Sequence, residues 1–270
     1  LKVALPDIAV VTKIALVHTQ EFGSINNIVT EKGKIIKCLS KESIAILNYD
    51  DVNVRKLGKN TRAKRIYFGR QQKGVDIGFS GLKETTDGIE LNIHDNVNRK
   101  KEKLNIKMLG SYSAYVILPA IAIGIQLGRP LKEILGILKG YKPPKGRMRI
   151  LPGISNSIII DGSYNASPVT MSAAIQASRV FKKMNRILFL GDMRELGKLE
   201  SEEHKKIAKL IKRYGNYAVL VGPLMERHTS VELLKLGYPS DRIFTTLDST
   251  EAGKYISKII KLSKNKTVVI

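Results

Sequence analysis

Ile158 to Pro168 reads IIIDGSYNASP, an apolar run that ends on an acid and opens into turn-forming, hydrogen-bonding residues. Asp161 stands where the run ends. Gly162, Ser163, Asn165 and Ser167 supply turn geometry and polar groups around Tyr164, and Pro168 suits the first turn of a helix through Met171, Ala174 and Ala177. In an α/β protein, ligands collect beyond the carboxyl ends of strands, where helix N-termini offer free backbone N–H groups to anions. RILFLGDMRELG, Arg186 to Gly197, repeats the plan as a strand ending in a polar loop at Gly191 and Asp192, with Glu195 downstream. An imidazole and two cations complete the set. His18 follows an apolar run, and Lys32 lies about two helical turns beyond Ser24, near enough to fold back toward the same cleft. Arg147 follows the Pro-rich stretch KPPK.

The elements that must hold these side chains read as α/β. Ile8 to Leu16 is a β-branched apolar run and predicts a buried strand; Ser24 can cap a helix from Ile25 onward. Ser43 to Leu47 predicts a strand leading into a polar turn at Asn48 to Asp51, whose adjacent acids diverge and read as structural. Short strands with turns at Gly81 and at Asp87-Gly88 follow as a small β-rich patch. Helical periodicity then runs from Ser113 to Leu127, with Gly128 as its stop, and from Leu131 to Leu138 after Pro130. Lys142 to Lys145 is a stiff joint, placing a domain boundary between 1–144 and 145–270. Beyond it, strands at Ile158, Arg186, AVLVGP, RIFTTLD and TVVI alternate with helices, the pattern of a parallel, Rossmann-like sheet.

Composition narrows the class. The chain has 270 residues, 43% hydrophobic and 26% charged, and no run reaches the roughly 18 apolar residues of a membrane span. No signal-peptide order opens it, so it reads as cytoplasmic, and a start on Leu implies a fragment. Cys38, the only cysteine, excludes an internal disulfide and reads as core. The formal charge of +22 comes from lysines spread through the chain with no nucleic-acid motif, so no specific nucleic-acid partner is expected. Solvated basic faces explain most of that charge, and steering of anionic nucleotides is the alternative.

The wording of two motifs goes further. DGSYNASP and GDMRELG resemble segments of the Mur ligases, most closely of the members that add D-alanyl-D-alanine to the peptidoglycan precursor. PDIAVVTKIALVHTQEFGSINNIVTEKGKI is similar to their central domain, and the resemblance covers nearly the whole chain. It implies an incomplete central domain followed by a Rossmann-like C-terminal domain. It implies ATP and Mg²⁺ as cofactors, a UDP-N-acetylmuramoyl peptide and D-alanyl-D-alanine as partners, and a monomer. By position, His18 would ligate Mg²⁺ and Lys32 would do so as a carbamate, the anionic form a lysine needs, since an ordinary ammonium with a pKa of about 10.4 would repel the ion. Arg147, in its Gly-Arg-Met setting, would reach the ATP phosphates. Asp161, Tyr164 and Asn165 would contact the nucleotide, and Asp192 and Glu195 would line the dipeptide pocket.

The sequence departs from the family pattern at several positions. Gly162 stands where the family has a second acid, with partial substitution by Asp161 expected; Lys13 replaces an Asn, and Tyr112-Ser113 replace a His-Asn pair. No G-x-x-G-K-[ST] phosphate loop occurs. The resemblance implies that this loop and a metal-binding glutamate lie before Leu1, that the C-terminus is also cut, and that the fragment alone is inactive. Taken singly, Lys32 reads as a solvated lysine, Arg147 as a surface arginine and His204 as a helix-surface histidine. Another Mur enzyme, a folylpolyglutamate synthase-type ligase, or a non-catalytic binding protein derived from one remain alternatives.

Overall fold

Ala45, Ile46 and Leu47 are wholly buried and face alternate sides of one sheet, which requires a helical layer on each side. The computed structural model describes residues 5–15 and 24–270. The chain divides into two units, Leu1–Tyr141 and Lys142–Ile270.

In the first unit β1 (Ile8–Val11), β2 (Ile44–Asn48), β3 (Lys64–Arg70) and β4 (Ile77–Thr85) run parallel in that order. β5 (Gly88–Asp95) and β6 (Lys100–Ile106) extend the sheet antiparallel. Helices α1 (Ile25–Lys37) and α2 (Val52–Leu57) cover one face through Ile28, Ile36, Val54 and Leu57. The other face packs on α3 (Ser113–Gln126) and α4 (Leu131–Lys139), with Phe68, Ile77 and Leu91 against Ile117 and Ile121.

The first strand stops at Val11, not Leu16, which lies outside the described residues. Side chains intercept the backbone beyond it: Asn48 Nδ2 donates to the Thr12 carbonyl at 2.7 Å, and the Ile14 N–H donates to Asp51 Oδ2 at 3.0 Å. Gly81 (φ +62°) is no turn but a bulge inside β4, between Ser80 and Lys83. The Asp87-Gly88 hairpin forms as expected, with Thr85 paired to Gly88. Cys38 is only half-buried, at the C-terminus of α1, where its thiol donates to the Ile35 carbonyl. Asp50 and Asp51 do diverge: Asp51 caps α2 through the Asn53 and Val54 amides, and Asp50 accepts from Arg70 N–H and the Tyr115 hydroxyl.

The second unit contains β7 (Arg149–Pro152), β8 (Ile158–Asp161), α5 (Pro168–Ala177), β9 (Asn185–Gly191), α6 (Glu200–Tyr214) and β10 (Tyr217–Val221). A π-helical turn at Met225–Ser230 leads into α7 (Val231–Lys235), followed by β11 (Ile243–Thr246), α8 (Ser249–Leu262) and β12 (Thr267–Val269). Sheet order is β11-β10-β9-β12-β8-β7, parallel except for β7. α5 starts as its sequence predicts, with Pro168 in the first turn and a reciprocal Ser167–Thr170 capping box. From β9 the chain winds outward through β10 and β11, then returns to insert β12 between β9 and β8. The loops leaving β8 and β9 therefore flank the carboxyl end of β12, a topological switch point where α/β sheets bind ligands.

Candidate active site

Asp161, the last residue of β8, is the knot of this edge. Its Oδ2 accepts the Gly146 N–H at 2.8 Å, and its Oδ1 accepts the Ser163 N–H at 3.1 Å and the Ser163 hydroxyl at 2.6 Å. The Ser163 hydroxyl first of all holds its carboxyl below the ordinary carboxylate value; partial burial opposes this, and the Gly146 and Ser163 amides and the charge of Arg149 reinforce it. The antiparallel pairing of β7 with β8 sets Arg149 opposite Asp161, and so brings the turn before β7 against the loop after β8.

That turn carries Arg147. Gly146 takes φ +75°, and a Cβ there would come within 2.9 Å of the Tyr164 backbone N and Cβ, so only glycine fits the approach. The Tyr164 N–H donates to the Gly146 carbonyl at 3.2 Å. The Arg147 guanidinium lies 3.6 Å from the centre of the Tyr164 ring, a cation–π stack on an exposed surface. Asn165, next in the loop, is exposed as well. The structure thus brings Arg147, Asp161 and Tyr164 together, with Asn165 beside them.

The loop after β9 is built differently. Asp192 accepts the Leu224 and Met225 N–H groups at 3.3 and 2.8 Å, capping the turn that leads to α7. Behind it the Met193 N–H donates to His204 Nε2 at 3.3 Å, while His204 Nδ1 meets the Glu200 carbonyl at 2.8 Å. His204 is 0% exposed, which overturns its reading as a surface histidine: the amide of Met193 and the carbonyl of Glu200 satisfy both ring nitrogens and let the helix turn them inward. Glu195 is exposed and takes φ +63° in the same loop.

In the first unit, Lys32 is an exposed residue of α1. With Lys13, Lys34, Glu31 and Thr12 it lines an open groove of about 560 Å³ between α1 and the end of β1. His18 lies outside the described residues. Ser113 is buried, its hydroxyl donating to the Leu109 carbonyl at 2.8 Å, and burial pushes the Tyr112 phenol up to about 12. The Ser113 bond ties the first turn of α3 to the segment before it.

Two family descriptions match the chain, the Mur ligase middle domain over residues 1–124 and the Mur ligase glutamate ligase domain over residues 146–270. The chain belongs to the Mur ligase family. Its curated relatives include the UDP-N-acetylmuramoyl-tripeptide–D-alanyl-D-alanine ligase of Haemophilus influenzae, 26% identical over 281 residues, covering 100% of this chain and 56% of that protein. The ligase of the same name from Bacillus subtilis is 30% identical over 214 residues, covering 78% of this chain and 44% of that protein. This Mur ligase chain therefore spans about half the length of the curated relatives it matches. Among solved structures, MurF of Acinetobacter baumannii superposes with a TM-score of 0.82 at 20% identity, covering 99% of this chain and 56% of that one. MurF ligase of Thermotoga maritima in complex with ADP gives 0.81 at 21% identity, over 99% of this chain and 58% of that one. At these identities the likeness is one of fold, and it confirms the expected α/β class with two sheets.

The clasp that Asp161 forms by accepting from Gly146 and Ser163 was not visible in the sequence. Gly146, Ser163 and the left-handed Met148 (φ +57°) acquire their parts only through the antiparallel register of β7 on β8. The Gly-Arg-Met triplet was the one signal available for it.

Proposed function

We propose that the protein works as an ATP-dependent amide ligase of peptidoglycan precursor synthesis, joining D-alanyl-D-alanine to a UDP-N-acetylmuramoyl tripeptide in the cytoplasm. The observation that carries this reading is the shared edge in the second unit: DGSYNASP and GDMRELG, the two motifs most specific in wording, leave β8 and β9 on either side of β12, with Arg147 held beside the first.

The terminal phosphoryl group of ATP passes to the tripeptide carboxylate, giving an acyl phosphate. The dipeptide amine attacks that carbonyl, and the tetrahedral intermediate collapses to amide and phosphate. Arg147 offsets charge on the phosphates, because its planar guanidinium carries several N–H donors and is always charged. Tyr164 and Asn165 form the exposed wall beside it. Asp192 and Glu195 belong to the loop that would receive the dipeptide, Asp192 capping the Leu224 and Met225 amides and Glu195 lying exposed further along it.

Mg²⁺ would require His18 and Lys32 as a carbamate. The described lining of the groove does not fit a divalent cation while its lysines are ammonium groups: Lys13, Lys32 and Lys34 outnumber the one acid, Glu31, which is paired with Lys34. No group of three or more His, Cys, Asp or Glu suited to a metal occurs among the described residues.

The test is phosphate release by the full-length protein with ATP, the UDP-linked tripeptide and a panel of amine acceptors. Release that depends on D-alanyl-D-alanine is expected. Release with a single amino acid or glutamate instead would assign another Mur-type or folylpolyglutamate-type reaction, and no release with any acceptor would leave a binding protein.

A further inference from the structure

We propose that Asp161 is a positioning residue that fixes the Gly146–Met148 turn and so aims the Arg147 guanidinium, and that it is not itself a contact to the nucleotide. This rests on the reading of Arg147 as the phosphate-facing cation.

Hydrogen-bond saturation is the first ground. A carboxylate offers about four acceptor sites. Three of those on Asp161 are filled from within the chain, by Gly146 N–H, Ser163 N–H and the Ser163 hydroxyl. Turning the group toward a ligand would break the bond that ties the turn to the loop.

The turn needs that bond. Gly146 and Met148 both lie in the left-handed region, at φ +75° and +57°, on either side of Arg147. A non-glycine residue such as Met148 holds that conformation only where its surroundings impose it. The imposed contacts are the Asp161–Gly146 hydrogen bond, the Tyr164 N–H to the Gly146 carbonyl, and the glycine-only approach of Gly146 to Tyr164. Together they set the guanidinium on the Tyr164 ring at 3.6 Å. Stacking covers the guanidinium face and leaves its N–H edge for an anion.

Position 162 then takes on a separate meaning. It is exposed, and a Cβ there would meet only Met148 Sδ, at 3.2 Å. Asp161 is committed to the clasp and does not stand in for an acid one residue further on.

A double-mutant cycle on the full-length protein tests this, with ATP affinity measured for wild type, Asp161→Asn, Arg147→Ala and the double variant. Each single change is expected to weaken ATP about tenfold or more. The double variant should be no weaker than Arg147→Ala within about twofold, because coupled residues fail to add. Equal losses from Asp161→Asn with and without Arg147 would overturn the proposal. If Arg147→Ala leaves ATP affinity unchanged, the phosphate reading of Arg147 is what fails. The clasp is then judged by NMR: Arg147 side-chain protons shifted upfield by the Tyr164 ring should lose that shift in Asp161→Asn, and their keeping it would overturn the positioning role. Should Asp161→Asn fail to fold, Ser163→Ala replaces it in both measurements, with a smaller loss that must likewise vanish in the Arg147→Ala background.

Discussion

Asp161 and Asp192 occupy matching places in one sheet, at the carboxyl ends of β8 and β9 with β12 between them, and both carboxylates accept backbone N–H groups. What each acid holds is different. Asp161 holds an exposed turn that displays Arg147 on Tyr164. Asp192 holds the Leu224 and Met225 amides, and the residue behind it, Met193, is buried against His204. The same chemistry at the same kind of position thus supports an exposed surface, proposed as the nucleotide face, in one loop and the packing of the domain in the other. The consequence of an acid at a strand end is read from what its partners expose.

Mutations should separate the two loops. The largest effect is expected at His204→Ala, which opens a cavity and leaves the Met193 N–H unpaired, at a cost of about 3 kcal/mol in stability. Chemical denaturation measures it, and a loss below about 1 kcal/mol would mean that the buried imidazole does not anchor its loop. Arg147→Ala should do the reverse: kcat/KM for ATP falls about a hundredfold while Tm stays unchanged, as for loss of one donor to developing charge. A matching fall in Tm would move Arg147 to the packing side of the comparison. Asp192→Ala should cost about 1–2 kcal/mol, the scale of a lost helix cap, with ATP affinity intact.

The smallest effect is one of pH. The Asp161 carboxyl lies below its unfolded value, so its contribution to stability is present above that value and is lost as pH falls through the folded one. Stability from the clasp should therefore be constant near neutrality and decline only below about pH 4. Urea unfolding of wild type against Asp161→Asn across that range checks it: the two curves should converge in acid, and a constant gap would deny the carboxylate its part.

Much of the fold could be read from residues alone where local chemistry decides. Ser24 and Pro168 begin helices, Gly128 ends one, and Asp87-Gly88 closes a hairpin, because each acts through its own backbone or its immediate neighbours. Long-range pairing hid the rest. β6 (Lys100–Ile106) is a sheet edge whose first four residues are exposed, so it lacks the apolar alternation that marks a strand. Gly81 reads as a turn in isolation and is a bulge only against β5. His204 looks solvent-facing in a lysine-rich helix until the Met193 amide arrives from another loop. In the site, Asp161, Tyr164 and Arg147 were recognisable by wording, while the bond from Asp161 to Gly146, which joins residues fifteen positions apart, was not.

A crystal structure of the full-length protein with ADP would test the central claim most directly. The terminal phosphate should lie within hydrogen-bonding reach of the Arg147 guanidinium, while the Asp161 carboxylate still accepts the Gly146 N–H. Phosphates bound away from Arg147, or an Asp161 carboxylate turned onto the nucleotide, would contradict it.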